Sequence, residues 1–194
     1  TFISAEPSTL DISRRMDSYS SSIMIDTMEG LVRLCQTGEG ENAEYEMRAG
    51  EAESWDSNED GTVWTFHLRD GLKWQDGDPD TGCPNSFFLE PLLNYPAIAA
   101  GEMDVSELGV KAIDEKTLEI TLSAPKPTFI EMLPATVYYP QRQDIIEKYG
   151  DQFGSEAEAY IGNGPFKVDS WTHNNSIVLS KNENYWDADS VKLE

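Results

Sequence analysis

Apolar and polar residues alternate from Trp64 to Leu68, with Trp64, Phe66 and Leu68 on one side and Thr65 and His67 on the other. A period of two marks a strand with one buried face. Asp70-Gly71 interrupts, Leu72, Lys73 and Trp74 resume, and Asp76-Gly77 interrupts again, so the pattern predicts an aromatic hairpin turned at Asp70-Gly71. Leu118, Ile120 and Leu122 alternate in the same way. With residues 110–113 across Asp114-Glu115-Lys116 they predict a second hairpin. A third is predicted from residues 166–171 and 176–179 around His173-Asn174-Asn175. Shorter strands are expected at residues 31–34 and near the start, where Pro7 turns the chain. Residues 36–44 and 58–61 read as loops or hairpin tips.

Helical spacing appears elsewhere. Ile23, Met24, Thr27 and Met28 form a stripe that predicts a helix over residues 20–28, with Gly30 as its C-cap. A helix over 128–133 would be opened by Pro127, and one over 141–149 closed by Gly150. A helix over 86–95 must accommodate Pro91 near an end or a break. Hairpins interspersed with short helices define an α+β class.

The chain has 194 residues, 39% of them hydrophobic and 10% aromatic, enough for one sizeable packed domain. Its formal net charge of −22 argues against nucleic acid and against anionic lipid as partners, since both require a basic face. The acids are scattered, as on a solvated surface. No apolar run reaches the length of a membrane span. Thr1-Phe2-Ile3 lacks the basic lead and apolar core of a signal peptide, so a leader, if the protein is secreted, is expected to be missing from this sequence. Cys35 and Cys83 leave two alternatives open: one bridge in an oxidising compartment, or two partly buried thiols.

Candidate chemistry is sparse. His67 and His173 are too few and too scattered for most metal or triad arrangements. Nucleophile-elbow, phosphate-loop and His-Glu-x-x-His patterns do not occur. Residues 76–87 begin like a calcium loop, but the glycine is displaced by one place and Phe87 stands where a bidentate Glu is needed. No catalytic residue, metal or cofactor is predicted.

Several motifs carry a resemblance. They are the Trp64-x-Phe66-x-Leu68-Arg69-x-Gly71-x-Lys73-Trp74-x-Asp76-Gly77 run, Glu6-Pro7-x-x-Leu10-Asp11, Glu29-Gly30-Leu31 and Ala52-Glu53-Ser54-Trp55. Leu108-Gly109-Val110-Lys111-Ala112, Asn163-Gly164-Pro165-Phe166 and Asn182-x-x-Tyr185-Trp186-Asp187 continue the series. In this order, over nearly the whole chain, the sequence resembles the extracytoplasmic solute-binding proteins of oligopeptide and dipeptide ABC importers.

The resemblance implies a fragment of a two-lobed, periplasmic-binding-protein-like fold. Residues 1–30 and 160–194 would be parts of lobe one, residues 31–159 a smaller hairpin-rich subdomain, and the second lobe would be absent. A helix that the family places after the aromatic run is not found near Gly77-Asp78, which leaves two alternatives open: it is deleted, or it is disordered and left out of this sequence. Trp55, Trp64, Phe66 and Trp74 are expected in the subdomain's core rather than on a binding platform. The implied function is peptide capture between lobes and delivery to the membrane permease subunits, without bond chemistry or cofactor. Receptors of the same family for nickel, a haem-like compound or a sugar are the alternative. The implied location is the periplasm or a lipid anchor on the outer face of the cytoplasmic membrane.

By the same resemblance, Met16, Asp17 and Ser18 would line the cleft through backbone hydrogen bonds, with Asp17 placed to attract a ligand amine. Phe87, Phe88 and Tyr95 match an aromatic segment near the cleft, and Asn163 and Gly164 the return into the lobe. Exposed apolar surface where the second lobe belongs would favour dimer formation by the fragment.

Overall fold

The computed structural model describes residues 5–15, 17–38, 40, 43–75 and 90–193. Two compact units share the chain. One is built from Thr1–Glu29, Gly71–Ser86 and Tyr139–Glu194, the other from Gly30–Asp70 and Phe87–Tyr138.

The second unit is mainly sheet. Strands β1 (Val32–Thr37) and β2 (Glu44–Ala49) pair as an antiparallel hairpin. Strands β3 (Ala52–Ser57), β4 (Val63–Leu68), β5 (Val110–Asp114) and β6 (Thr117–Thr121) form an antiparallel sheet in the order β3-β4-β6-β5. The β5–β6 hairpin follows the predicted alternation, and the β1–β2 hairpin turns between Thr37 and Glu44, within the stretch read as a loop or hairpin tip.

The hairpin predicted at Asp70-Gly71 does not form. Both edges of β4 are already occupied: Phe66 lies opposite Trp55 on one side and opposite Leu118 on the other. Asp70-Gly71, with Gly71 at φ +73, instead leads the chain out of this sheet. Trp74 is then buried in the core of the first unit, not of the second.

Trp64 and Phe66 do build the second unit's core, with Ile120, Leu122, Phe129, Leu133 and Tyr138, while Trp55 packs half-buried against it. The Trp64 ring lies 6.0 Å from Phe129, which meets the edge of Tyr138 at 6.0 Å. The Trp64 indole N–H donates to the Gly61 carbonyl at 3.1 Å, so its one polar atom is satisfied. Each such side chain contributes about 1.5–3 kcal/mol by leaving water.

Two predicted helices shift in this unit. Residues 128–133 hold only a 3-10 turn, Phe129–Met132. In the described part of the predicted 86–95 segment, Leu92 forms an antiparallel bridge to Leu122, Asn94 adopts φ +68, and helix α1 runs from Tyr95 to Ala99 with Pro96 in its first turn. The other unit holds a ten-residue helix, αN (Ser18–Thr27).

The first unit packs αN and the hairpin β7 (Phe166–Thr172)–β8 (Ser176–Lys181) around a separate core, and it also contains a second helix, α2 (Gln143–Tyr149). That core contains Leu10, Ile23, Met24, Trp74, Tyr139, Tyr160, Val168 and Trp171. αN buries Ser20, Ile23, Met24 and Thr27, which share one face at helical spacing. The helix ends at Met28 in extended backbone (φ −132, ψ 158), not on a left-handed Gly30. The boundary read from sequence at residue 159 differs from this division, since Tyr139, Ile145 and Phe153 are buried and group with the first unit. Cys35 is a free, half-buried thiol. Cys83, the calcium-like loop and the missing-helix position lie outside the described residues.

Tyr138 is 7% exposed, and its hydroxyl has no hydrogen-bond partner among the described residues. Burial pushes its pKa up to about 12, so the group stays a neutral, unsatisfied phenol. A buried hydroxyl without a partner costs about 1–3 kcal/mol of desolvation. Tyr138→Phe is therefore expected to leave stability unchanged or raise it, measured as the urea midpoint; a clear fall would show that the hydroxyl is satisfied in solution.

Candidate functional site

αN has two chemically different ends, and the predicted site residues in the first unit divide between them. Ten residues of helix span about 15 Å. Asp17 and Ser18 stand at its amino end, and Asn163 and Gly164 meet its carboxyl end. The structure therefore does not bring these four together. Tyr95 belongs to the other unit, where it is half-buried against that unit's core. Met16, Phe87 and Phe88 lie outside the described residues.

At the amino end, Asp17 is the N-cap, with extended backbone (φ −130, ψ 159). Its Oδ1 accepts the Ser20 N–H at 2.8 Å. Its Oδ2 accepts the Ser20 hydroxyl at 2.9 Å, the Ser8 N–H at 3.1 Å and the Ser8 hydroxyl. Partial burial pushes the carboxyl up, but the Ser8 and Ser20 donors outweigh it and bring the pKa down to about 2. A carboxylate offers about four acceptor positions, and the protein's own chain uses them. Asp17 thus binds two segments of this unit together. Ser18 is exposed as the first helical residue.

At the carboxyl end the chain returns under tight steric control. The Gly164 N–H donates to the Thr27 carbonyl at 3.0 Å, and the Gly164 carbonyl accepts from the Asn182 amide at 2.8 Å. A Cβ on Gly164 would lie 2.5 Å from the Met28 nitrogen, and one on Gly162 only 2.0 Å from the Thr27 oxygen. Both positions require the absence of a side chain.

Asn163, 3% exposed, grips Glu29 in both directions. Its Oδ1 accepts the Glu29 N–H and its Nδ2 donates to the Glu29 carbonyl, each at 2.9 Å. The Glu29 side chain is also buried. Its carboxylate accepts the Tyr185 hydroxyl at 2.6 Å and the Trp186 indole N–H at 2.5 Å. Gln75 closes the group: its N–H donates to Gly162 O at 2.9 Å, its Oε1 accepts the Gly162 N–H at 3.2 Å, and its carbonyl accepts from Asn184 at 3.0 Å.

Beneath this, the Thr27 hydroxyl donates to the Ile23 carbonyl at 2.8 Å, which leaves Tyr160 to donate to Thr27 at 2.8 Å. Burial pushes the Tyr160 phenol up strongly. Tyr139 is pushed up to about 12 by burial and then by the Glu29 charge. These phenols stay protonated, and therefore remain donors, at ordinary pH.

The motifs Glu29-Gly30-Leu31, Asn163-Gly164-Pro165-Phe166 and Asn182-x-x-Tyr185-Trp186-Asp187 thus meet through Glu29, Asn163, Gly164, Asn182, Tyr185 and Trp186. The roles of Glu29 and Gln75 were missed in the sequence. A glutamate in an apolar run, with a distant Tyr-Trp pair to supply donors, was a signal for the first; Gln75 had none. Among the described residues, no group of three or more His, Cys, Asp or Glu side chains could hold a metal ion. No helix among them is long and apolar enough to cross a membrane.

Comparison with known proteins gives a consistent assignment. Residues 46–194 match the family described as bacterial extracellular solute-binding proteins, family 5 Middle. The chain is 34% identical over 208 residues to the oligopeptide-binding protein OppA of Bacillus subtilis, covering 99% of this chain and 37% of that protein. It is 36% identical over 208 residues to the probable deoxycholate-binding periplasmic protein YgiS of Escherichia coli, covering 98% and 37%. The structure superposes with a TM-score of 0.90 on the substrate-binding domain of an oligopeptide ABC transporter from Bacillus anthracis, at 34% identity over 100% of this chain and 39% of that one. The chain belongs to the family 5 extracellular solute-binding proteins, and it spans little more than a third of the length of these relatives.

Asn163→Ala removes both bonds to the buried Glu29 backbone, which is expected to cost about 2–4 kcal/mol in urea unfolding. Asp17→Ala removes the cap of αN and is expected to cost about 1 kcal/mol. Because the Asp17 pKa is depressed, its contribution is present above the ordinary 3.8 and is lost as pH falls through about 2. The stability difference between the native protein and Asp17→Ala should accordingly shrink over that interval.

Proposed function

We propose that the protein carrying this chain is the extracytoplasmic receptor of an ABC importer, which captures peptides in extended form and delivers them to the membrane permease. The carrying observation is the 0.90 TM-score along the whole chain to the substrate-binding domain of an oligopeptide ABC transporter. The oligopeptide-binding relative, 34% identical over nearly the full chain, supports the same reading. The protein makes and breaks no covalent bond.

In this proposal the ligand is held by its backbone, as an added strand, and Met16, Asp17 and Ser18 contribute main-chain groups. The Asp17 carboxylate attracts a ligand amine only as a fixed negative charge, since its oxygens are engaged by Ser8 and Ser20. Phe87, Phe88 and Tyr95 supply apolar surface. Asn163 and Gly164 act indirectly, by fixing the chain where it passes the end of αN. Wet, adaptable side-chain pockets would let one receptor accept many sequences.

A second reading is a non-peptide solute, favoured by the 36% identity to a relative named as probably deoxycholate-binding. Isothermal titration of the full-length protein with a mixed peptide pool, with deoxycholate and with Ni²⁺ separates the two. Saturable heat with the peptide pool is the expected result. Binding of deoxycholate or Ni²⁺ with none of the pool would overturn the peptide assignment.

A further inference from the structure

His173, which the proposed function does not use, lies at the tip of the β7–β8 hairpin between two carboxylates. Its Nδ1 is 2.8 Å from Glu6 Oε1 and its Nε2 is 3.4 Å from Glu156 Oε1. Glu6 belongs to the segment that precedes αN, and Glu156 to the loop before the short turn Ala157–Ala159. The hairpin gives Glu6 two more donors: the Trp171 indole N–H to Oε1 at 2.7 Å and the Asn174 N–H to Oε2 at 2.9 Å. Asn174 reaches that position with φ +59, and the His173 ring packs 4.9 Å from that of Trp171.

The geometry dictates a proton count. A carboxylate only accepts, and a carboxylate faces each ring nitrogen. A neutral imidazole has one N–H, so it leaves a lone pair pointing at one carboxylate; the imidazolium has two and satisfies both. We propose that His173 is a pH-dependent clasp: protonated, it fastens the Glu6 segment and the Glu156 loop to the β7–β8 hairpin at once, and deprotonated it can donate to only one of them and loses its hold on the other.

The segment fastened in this way is also held by Asp17, which accepts from Ser8, and by Leu10, which is fully buried in the unit's core. Leu10 N–H donates to the Gly154 carbonyl at 2.6 Å, and the Thr9 hydroxyl to the same carbonyl at 3.2 Å. Both of these bonds join the Glu6 segment to the loop that carries Glu156, so His173 links the hairpin to two pieces that already hold each other.

The direction of titration agrees with the geometry. The Glu6 hydrogen bond, opposed by burial and aided by Glu156, raises the His173 pKa above the ordinary 6.5. For Glu6, burial pushes upward but is outweighed by the Asn174, His173 and Trp171 donors, so its pKa falls below 4.5. A raised histidine pKa means stabilisation that is complete below 6.5 and fades as pH rises through the folded value. A depressed glutamate pKa means stabilisation present above 4.5 and lost as pH falls through the folded value. The clasp is therefore tightest between those limits and opens on the alkaline side through His173.

The test needs no ligand, so its outcome is independent of the peptide assignment. NMR titration of the protein should place the His173 midpoint above 6.5, and Glu156→Gln should lower that midpoint while the Trp171 and Asn174 bonds to Glu6 persist. Amide exchange at Leu10 and Asn174, corrected for intrinsic rates, should be several-fold more protected at pH 6 than at pH 8. His173→Gln should abolish that dependence. A midpoint at or below 6.5, or a pH dependence that survives in His173→Gln, would overturn the proposal.

Discussion

Glu29 carries a carboxylate into a site where 4% of the residue is exposed. A charge so placed is tolerable only where hydrogen-bond donors are fixed around it, because desolvation alone costs several kcal/mol. Tyr185 and Trp186 supply donors to the side chain, and Asn163 supplies a donor and an acceptor to the backbone of the same residue. The satisfaction of one residue thus fixes three stretches of chain at once. Once they are fixed, Gly162 and Gly164 lie against the last turn of αN, too close for any side chain.

αN is consequently held at both ends by polar chemistry and along its face by apolar packing. Asp17 ties its start to Ser8, and Gly164 ties its end to the returning chain. A short helix would fray in isolation. Fixed in this way, it is a rigid base for the segment that precedes it.

Local pattern made the strands legible and left their partners hidden. β4, the β5–β6 hairpin, the β7–β8 hairpin and the helix closed by Gly150 could be read because alternation, helical spacing and turn residues act over a few positions. The error at Asp70-Gly71 has the opposite cause. An Asp-Gly pair between aromatic runs looks like a hairpin turn, but β3 and β6 compete for β4 and win, and no local signal records that competition. The site was legible as motifs and not as geometry. Asp17 could be placed near a helix start, yet its capping bonds depend on Ser8, nine residues earlier. Asn163 could be placed at a turn, yet its partner Glu29 is 134 residues away.

That separation has a consequence for biogenesis. The chain emerges from the ribosome in order, so residues 30–70 and 87–138 can complete their sheet and core while the body that contains Glu29 is still half made. Until Asn163, Tyr185 and Trp186 have been synthesised, the Glu29 carboxylate stays in water. Closing a loop this long adds little entropy cost per further residue, roughly 0.6 kcal/mol for each doubling, so the delay is set by translation more than by chain search. A nascent chain paused before Trp186 carries one finished unit and one open one, with the apolar face of αN awaiting cover.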